Sequence, residues 1–599
     1  MSRRVEIVIL VLVALGALAA GAGAALYFAY PNQVQFAAGE TRSYLLSLNA
    51  PAGTVVTETN AAYKAAATPA PVPAAPKTAV GDWPSYNRTL TTERFSDLDQ
   101  INTKNVGKLK VLCSYNTNTY SSFETGLIMV EGALIGTTEF DIFSIDPATC
   151  AQNWRTHEDF AAYILPLNRG AAYLDGMLFR GTEDGRVFAY DFKTGKRIWE
   201  TTIADPKKGE TVPAAPIAWE GLVFIGNAGG DEKGGKGRMY ALDAKTGKIV
   251  WEFYLVPKTE DDPVRGPQGA SPLSNTTWKN VPGVPISGGG TWTSTTLDPV
   301  AGLLYVPGGN PAPDYDVSVR EGDNLFTDSV IVLDAKTGGY KNHFKIVPRD
   351  WHDWDVSNPP ALINTAAGKR LMAVSPKDGF LYGFDLADNK LLYRTPVTKI
   401  ENADAPFSTD KDTHFCPGAV GGEEWNSPAY DPRNNLILTG DVDWCTTVKL
   451  QTREEIVGTA NGQPWFGERS LNPFNEFGKQ TRADGYWGGW LHAVDADSGV
   501  WKWRSRSNYP IVAGVTPTAG GLVFFGDVGG NFYALDAANG EKLWSQQLGG
   551  AIAGGVITYG ANGAQKVAVA TGFISPLWPV QIARAKVAIL GVEEDSGNR

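Results

Sequence analysis

The chain has 599 residues, enough for one large ring-like domain or several ordinary ones, and its 67 Gly and 18 Trp point to turn-rich β structure. A formal charge of −11 and a sequence pI near 5.2 argue against a nucleic-acid-binding surface. With five His and four Cys, metal sites built from those residues are disfavoured, and a site of oxygen ligands is left open.

In chain order, residues 7–29 are apolar and follow Arg3 and Arg4. Their length predicts a membrane helix within a segment 1–30, and the arginines favour a cytoplasmic N-terminus. The Ala/Gly stretch 19–25 also offers signal-peptide cleavage sites. Either reading exports the rest, so the sequence predicts a periplasmic protein, anchored in the inner membrane by 7–29 where that segment is kept as the membrane helix. Residues 31–82, with the run Ala-Thr-Pro-Ala-Pro-Val-Pro, read as an Ala/Pro-rich linker. The folded domain is expected over 83–592, with a tail at 593–599. An exported compartment permits disulfides, and the four cysteines suggest the bridges Cys113–Cys150 and Cys416–Cys445, one of three pairings the sequence allows. None lies in a Cys-x-x-Cys-His run, so no haem is attached here and electrons must leave to a separate acceptor.

Within 83–592 one phrase recurs seven times, starting at Asp146, Asp191, Asp243, Asp334, Asp385, Asp495 and Asp536. Asp opens a turn through its own backbone bonds, and the residue four places on needs a left-handed backbone. That place is Gly in five copies, with Cys150 and Asn389 in the others. Eight places on stands an aromatic in six copies, and Asn342 in the copy at Asp334. Spacings of 41 to 52 residues match four-stranded propeller blades. The longer gaps from 243 to 334 and from 385 to 495 must hold extra loops. An eighth sheet is expected from Val556–Leu590 closed by the early strand around Lys108–Cys113, with seven blades as the alternative.

The unusual residues concentrate in those loops. Gly288-Gly-Gly-Thr291-Trp292 precedes Gly309-Asn310-Pro311, then Asp350-Trp-His-Asp353-Trp-Asp355, Ser375-Pro-Lys377 and Cys416-Pro417, while Asn168-Arg169-Gly170 and Asp231-Glu232 lie upstream. A hard cation would suit the oxygen donors of Glu232, Asn310, Asp353 and Asp355, and an anionic ligand would suit Arg169 and Lys377. In order and spacing these pieces, together with Trp83-Pro-Ser-Tyr-Asn, resemble the methanol/ethanol dehydrogenase family of quinoproteins, which use pyrroloquinoline quinone (PQQ). The resemblance implies an all-β, eight-bladed propeller with Trp-docking repeats, and oxidation of a small-molecule alcohol by hydride transfer to metal-bound PQQ. It implies Glu232, Asn310 and Asp353 as metal ligands, Asp353 also as general base, and Trp292 as the floor under the quinone, with Arg169, Lys377 and Thr291 binding the cofactor. It also matches the Cys416–Cys445 bridge to a family one. The acceptor would be a cytochrome c or a membrane quinone.

An aspartate at the place of Asp355 resembles the lanthanide-dependent members, so Ca²⁺ and a lanthanide ion are both open. The sequence also departs from the family. Tyr163-Ile164 stand where methanol-type enzymes have adjacent cysteines, Pro213 replaces a threonine, Glu424 falls at an asparagine with Asn426 nearby, and Thr291-Trp292 is one residue shorter than Thr-x-Trp. His352 is expected to pack rather than to act as base. Two other functions share the repeat: a non-catalytic propeller scaffold and a sugar or polyol dehydrogenase.

Overall fold

In a computed structural model of the chain, the residues described are 52–69, 82–161, 167–469 and 488–592, apart from 268, 270, 576 and 579, with the backbone of 479–482 and scattered positions before 52. The apolar segment 7–29, the tail 593–599 and Tyr163-Ile164 lie essentially outside them. Among the described residues no helix is long and apolar enough to cross a membrane.

Eight antiparallel sheets follow one another, within residues 128–157, 172–202, 217–254, 296–345, 361–396, 429–507, 516–547 and 556–592. First strands of neighbouring sheets contact each other, which arranges the sheets as propeller blades. In the last blade Leu109–Asn116 pairs with Lys586–Val592, so both ends of the ring share one sheet, which closes the ring. Cys113–Cys150 spans the same seam, joining that closing strand to the first blade's turn (Cα–Cα 5.9 Å). Cys416–Cys445 ties together strands of the second long insertion.

The repeated phrase works as a joint between blades. Its Asp accepts from the backbone and hydroxyl three residues on, as Asp191 does from Thr194 N (2.8 Å) and Oγ1 (2.6 Å). Its aromatic reaches the next blade's phrase. Trp154, Trp199, Trp251 and Trp503 donate from Nε1 to the carbonyls of Phe192, Ala244, Ala335 and Ala537, each directly after the next Asp. Tyr393 donates likewise to Ala496. The phrase Gly therefore has two reasons. Gly247 has φ 71°, and a Cβ on it would lie 2.6 Å from Trp199 Cε3. Where the donor aromatic is missing, at Asn342, the next phrase has Asn389 instead of Gly, at φ 60°. At the seam Tyr559 takes over, donating to the Pro147 carbonyl at 2.9 Å.

One stretch departs from the expected linker. Val55–Thr59 adds a fifth strand to the sixth blade, in register from Val55 opposite Ser507 to Thr59 opposite Trp503. The β-branched run Val-Val-Thr-Glu-Thr alternates, with Val55 against the core cluster around Trp503 and Val56 outward. It covers a blade edge that would otherwise be open.

Buried acids outside the carboxylate cluster set a pH dependence. Burial pushes Asp527 up to about 6 despite hydrogen bonds from Asn531, Ser507 and Tyr533. Its proton is held more tightly in the fold than in the unfolded chain, so this stabilisation is complete below about pH 3.8 and is lost as the pH rises through about 6. Burial pushes Glu139 and Asp378, at their own sites, up to about 7, with the same sign. Guanidinium midpoints should show the wild type losing up to about 3 kcal/mol relative to Asp527→Asn between about pH 4 and pH 8. A difference constant across that range would contradict the assignment.

Candidate active site

The segments leading into successive blades, and loops between second and third strands within blades, line one cavity enclosing about 1030 Å³ of atom-free space, mouth included. Arg169, Thr211, Asp231, Trp292, Asn310 and Lys377 line it, and Trp425, Phe573 and Trp578 add aromatic wall. Asp353 and Asp355 come from one turn. Asp350 accepts from His352 N (3.0 Å) and Trp354 N (3.1 Å), fixing that turn with Asp353 in the left-handed region at φ 66°. Aspartate tolerates this conformation better than most residues, and such positions cluster at functional sites. His352 stacks on Trp354 (centroids 3.9 Å apart), and burial lowers its pKa, so it packs as a neutral ring.

The glycines explain how two loops meet. Gly289 N donates to Asn310 O at 2.8 Å and Gly309 N to Gly290 O at 2.9 Å. A Cβ on Gly288 would fall 2.6 Å from Asn310 O, and one on Gly309 2.6 Å from Asp355 Oδ1. Only a bare backbone at these positions lets the Gly288–Gly290 loop pack against Asn310 and lets Gly309 lie against Asp355.

Behind the cavity wall at Asp231, the acids Asp231, Asp314 and Asp353 each bring a carboxylate oxygen within 4.8 Å of the other two, Asp314 and Asp353 lying outside the lining itself. Asp353 is fully buried. Its Oδ2 is 3.4 Å from Lys377 Nζ, and its Oδ1 has no hydrogen-bond partner. Burial raises its pKa well above the usual carboxylate range, with Lys377 opposing and the Asp355 and Asp231 charges adding. Asp231 is pushed up to about 6 by burial and by Asp355. Lys377 also contacts Asp355 Oδ2 at 2.7 Å. Burial alone would depress Lys377, yet Asp353 and Asp355 hold it well above its usual value. Asp355 Oδ1 accepts from Asn310 N at 2.8 Å, and Asn310 Nδ2 is buried without a partner. Orphaned polar atoms beside clustered carboxylates fit a hard cation held by oxygen donors.

Two cations of the cavity wall lie over one indole. Arg169 is 4.7 Å and Lys377 5.5 Å from the Trp292 ring centre, and Arg169 is also 5.0 Å from that of Trp425. Arg169 pairs with Glu124 at 2.8 Å and donates to the Trp292 carbonyl at 3.0 Å. The site thus has an aromatic plate and two cationic groups, which fits a flat, anionic, oxygen-rich cofactor.

Several placements refine the sequence reading. Arg169, Lys377, Trp292, Asn310, Asp353 and Asp355 do come together, and Glu232 lines the same cavity. The acid in the carboxylate cluster, however, is its neighbour Asp231. The Glu232 backbone bridges to Pro464, and its side chain lies against Gly209. Thr291 turns into the adjoining blade, donating to the Arg238 carbonyl at 3.1 Å. Asp314, Glu124, Trp425 and Thr211 went unnoticed in the sequence. Thr211 brings a hydroxyl to the wall where Pro213 has none. Glu424 is buried on the same wall, and burial pushes it up to about 7.

An eight-bladed propeller with clustered carboxylates beside an indole plate fits the class of enzymes that work through a bound metal and a flat cofactor. Comparison with known proteins makes this specific. Residues 83–406 and 389–567 match the family "PQQ: Glucose/ethanol/alcohol dehydrogenase, beta-propeller domain", and the chain belongs to this family of PQQ-dependent alcohol dehydrogenases. It is 31% identical over 537 residues to the dehydrogenase subunit of the alcohol dehydrogenase (quinone) of Komagataeibacter europaeus, covering 82% of this chain and 72% of that protein. It is 30% identical to the lanthanide-dependent methanol dehydrogenase of Methylacidiphilum fumariolicum (strain SolV), covering 82% and 85%. Among solved structures it is similar to a europium-containing methanol dehydrogenase, with a TM-score of 0.76 at 26% identity over 85% of this chain and 98% of that one.

Proposed function

We propose that this chain oxidises an alcohol with Asp353 as general base and a trivalent lanthanide ion, rather than Ca²⁺, in the carboxylate cage. The observation that carries the reading is the clustering of Asp231, Asp314 and Asp353, with Asp355 alongside and Lys377 as the cation touching this group. Dense negative charge suits a trivalent ion better than a divalent one. A lanthanide-dependent relative at 30% identity supports it.

When bound, the quinone supplies a hydride acceptor and the metal a Lewis acid. Asp231, Asn310 and Asp353 would hold the metal, Asp231 taking the role expected of Glu232. Trp292, Arg169 and Lys377 would hold the quinone. Asp353 would take the alcohol hydroxyl proton on its unpartnered Oδ1 while Lys377 steadies the charge at Oδ2. Trp425, Phe573 and Trp578 would exclude water from the reacting centre. All four cysteines lie in disulfides, so electrons would leave to a separate acceptor, a cytochrome c or membrane quinone. The protein would act in the periplasm, anchored through 7–29.

Purified protein given PQQ with either La³⁺ or Ca²⁺ should reduce a dye acceptor on an alcohol panel, faster with La³⁺. Turnover with Ca²⁺ alone would reverse the metal assignment, and no turnover with either would refute the site.

A further inference from the structure

Asp314 belongs to none of the roles implied by the resemblance, yet it is placed like a ligand. It ends the Gly309-Asn310-Pro-Ala-Pro-Asp314 stretch and is completely buried. Neither of its carboxylate oxygens has a hydrogen-bond partner, although one lies within 4.8 Å of carboxylate oxygens of both Asp231 and Asp353. The positive group nearest in the loop, Arg320, is spent on other acceptors. It donates to the carbonyls of Pro313 (2.9 Å), Asp314 (2.8 Å) and Asp350 (2.9 Å) and to Asn324 Oδ1 (3.0 Å), leaving the Asp314 carboxylate free. Asp355 contrasts with it, because its two oxygens already serve Asn310 N and Lys377 Nζ. An ionised carboxylate sealed from water with no donor is costly, and an ion placed among the three acids removes that cost.

We infer that Asp314 is a direct carboxylate ligand of the cation, additional to Asp231, Asn310 and Asp353. This rests on the proposed metal site and deepens it. Asp314 adds a carboxylate to the group formed by Asp231, Asp353 and Asp355, and each further negative ligand favours a trivalent ion over a divalent one. Asp314 is then the residue that makes the cage discriminate by charge. A ligand set richer in carboxylate also leaves less room for water on the ion.

Europium luminescence tests this without turnover. Wild type, Asp314→Asn and Asp314→Ala are loaded with PQQ and Eu³⁺, and excited-state lifetimes in H₂O and D₂O count the water molecules on the ion. Eu³⁺ and Ca²⁺ affinities are measured by competition. In both variants Eu³⁺ affinity should fall ~10–100-fold, with a smaller fall for Ca²⁺, and Asp314→Ala should gain at least about one bound water. Asp314→Asn keeps the side-chain shape, so its affinities decide the matter should Asp314→Ala fail to fold. Variants that match wild type in affinity and hydration would overturn the ligand role while leaving the metal site standing. A wild type that binds neither ion would overturn both.

Discussion

Asp353→Asn is expected to lower kcat/KM for the alcohol by ~10²–10⁴-fold, the range for removal of a general base. The substitution is nearly isosteric. It keeps an oxygen at a side chain that is fully buried and held by the turn Asp350 fixes. It removes the group able to accept the hydroxyl proton, because the unpartnered Oδ1 of Asp353 is the atom left free by Lys377 at Oδ2. A loss that only reflected a weakened cage would appear as reduced Eu³⁺ or Ca²⁺ affinity and would be restored by excess metal. A lost base would persist at saturating metal and would fall on kcat, with substrate binding little changed. Full turnover by Asp353→Asn would remove Asp353 from the chemistry and leave it as a ligand alone.

The fold could be read because its code is local. An Asp, a Gly four residues on and an aromatic four further specify a turn and the contact that docks one blade on the next, as Trp199 does on Gly247. The eighth sheet, which lacks the phrase, was still legible from its apolar strands and from the need to close the ring. Val55–Thr59 was not. Its five residues sit beside Ala/Pro-rich chain, and their partner strand begins more than four hundred residues later. The loops were half legible. Motifs pointed to Asn310, Asp353, Asp355 and Trp292, but that Asp231 rather than Glu232 clusters with Asp314 and Asp353 reflects long-range contacts such as the bridge from Glu232 to Pro464, which no local pattern records. Asp314 gave no signal in sequence, because a lone Asp after Pro reads as a turn residue. Only the closure of two loops over Gly289 and Gly309 shows what it faces.

Trp251→Ala should cost about 3–5 kcal/mol of stability, the range for deleting a large buried aromatic. Its ring is 1% exposed, its Nε1 donates to Ala335 O at 2.9 Å, and it lies over Gly338 of the next phrase. Trp251→Phe keeps most of the apolar contact and loses the hydrogen bond, so about 1–2 kcal/mol is expected there. Gly338→Ala attacks the same joint from the other side. A Cβ there would stand 2.6 Å from Trp251 Cδ2, at φ 70°. Because Trp251→Ala has already emptied that space, the two changes combined should destabilise by less than their sum. What Gly338→Ala then adds is mainly the cost of holding a residue with a Cβ in the left-handed backbone. Guanidinium midpoints of the four proteins give that coupling directly. Strict additivity would mean that the indole and the glycine do not bear on each other, and the phrase would then be a turn signal alone rather than the joint between blades.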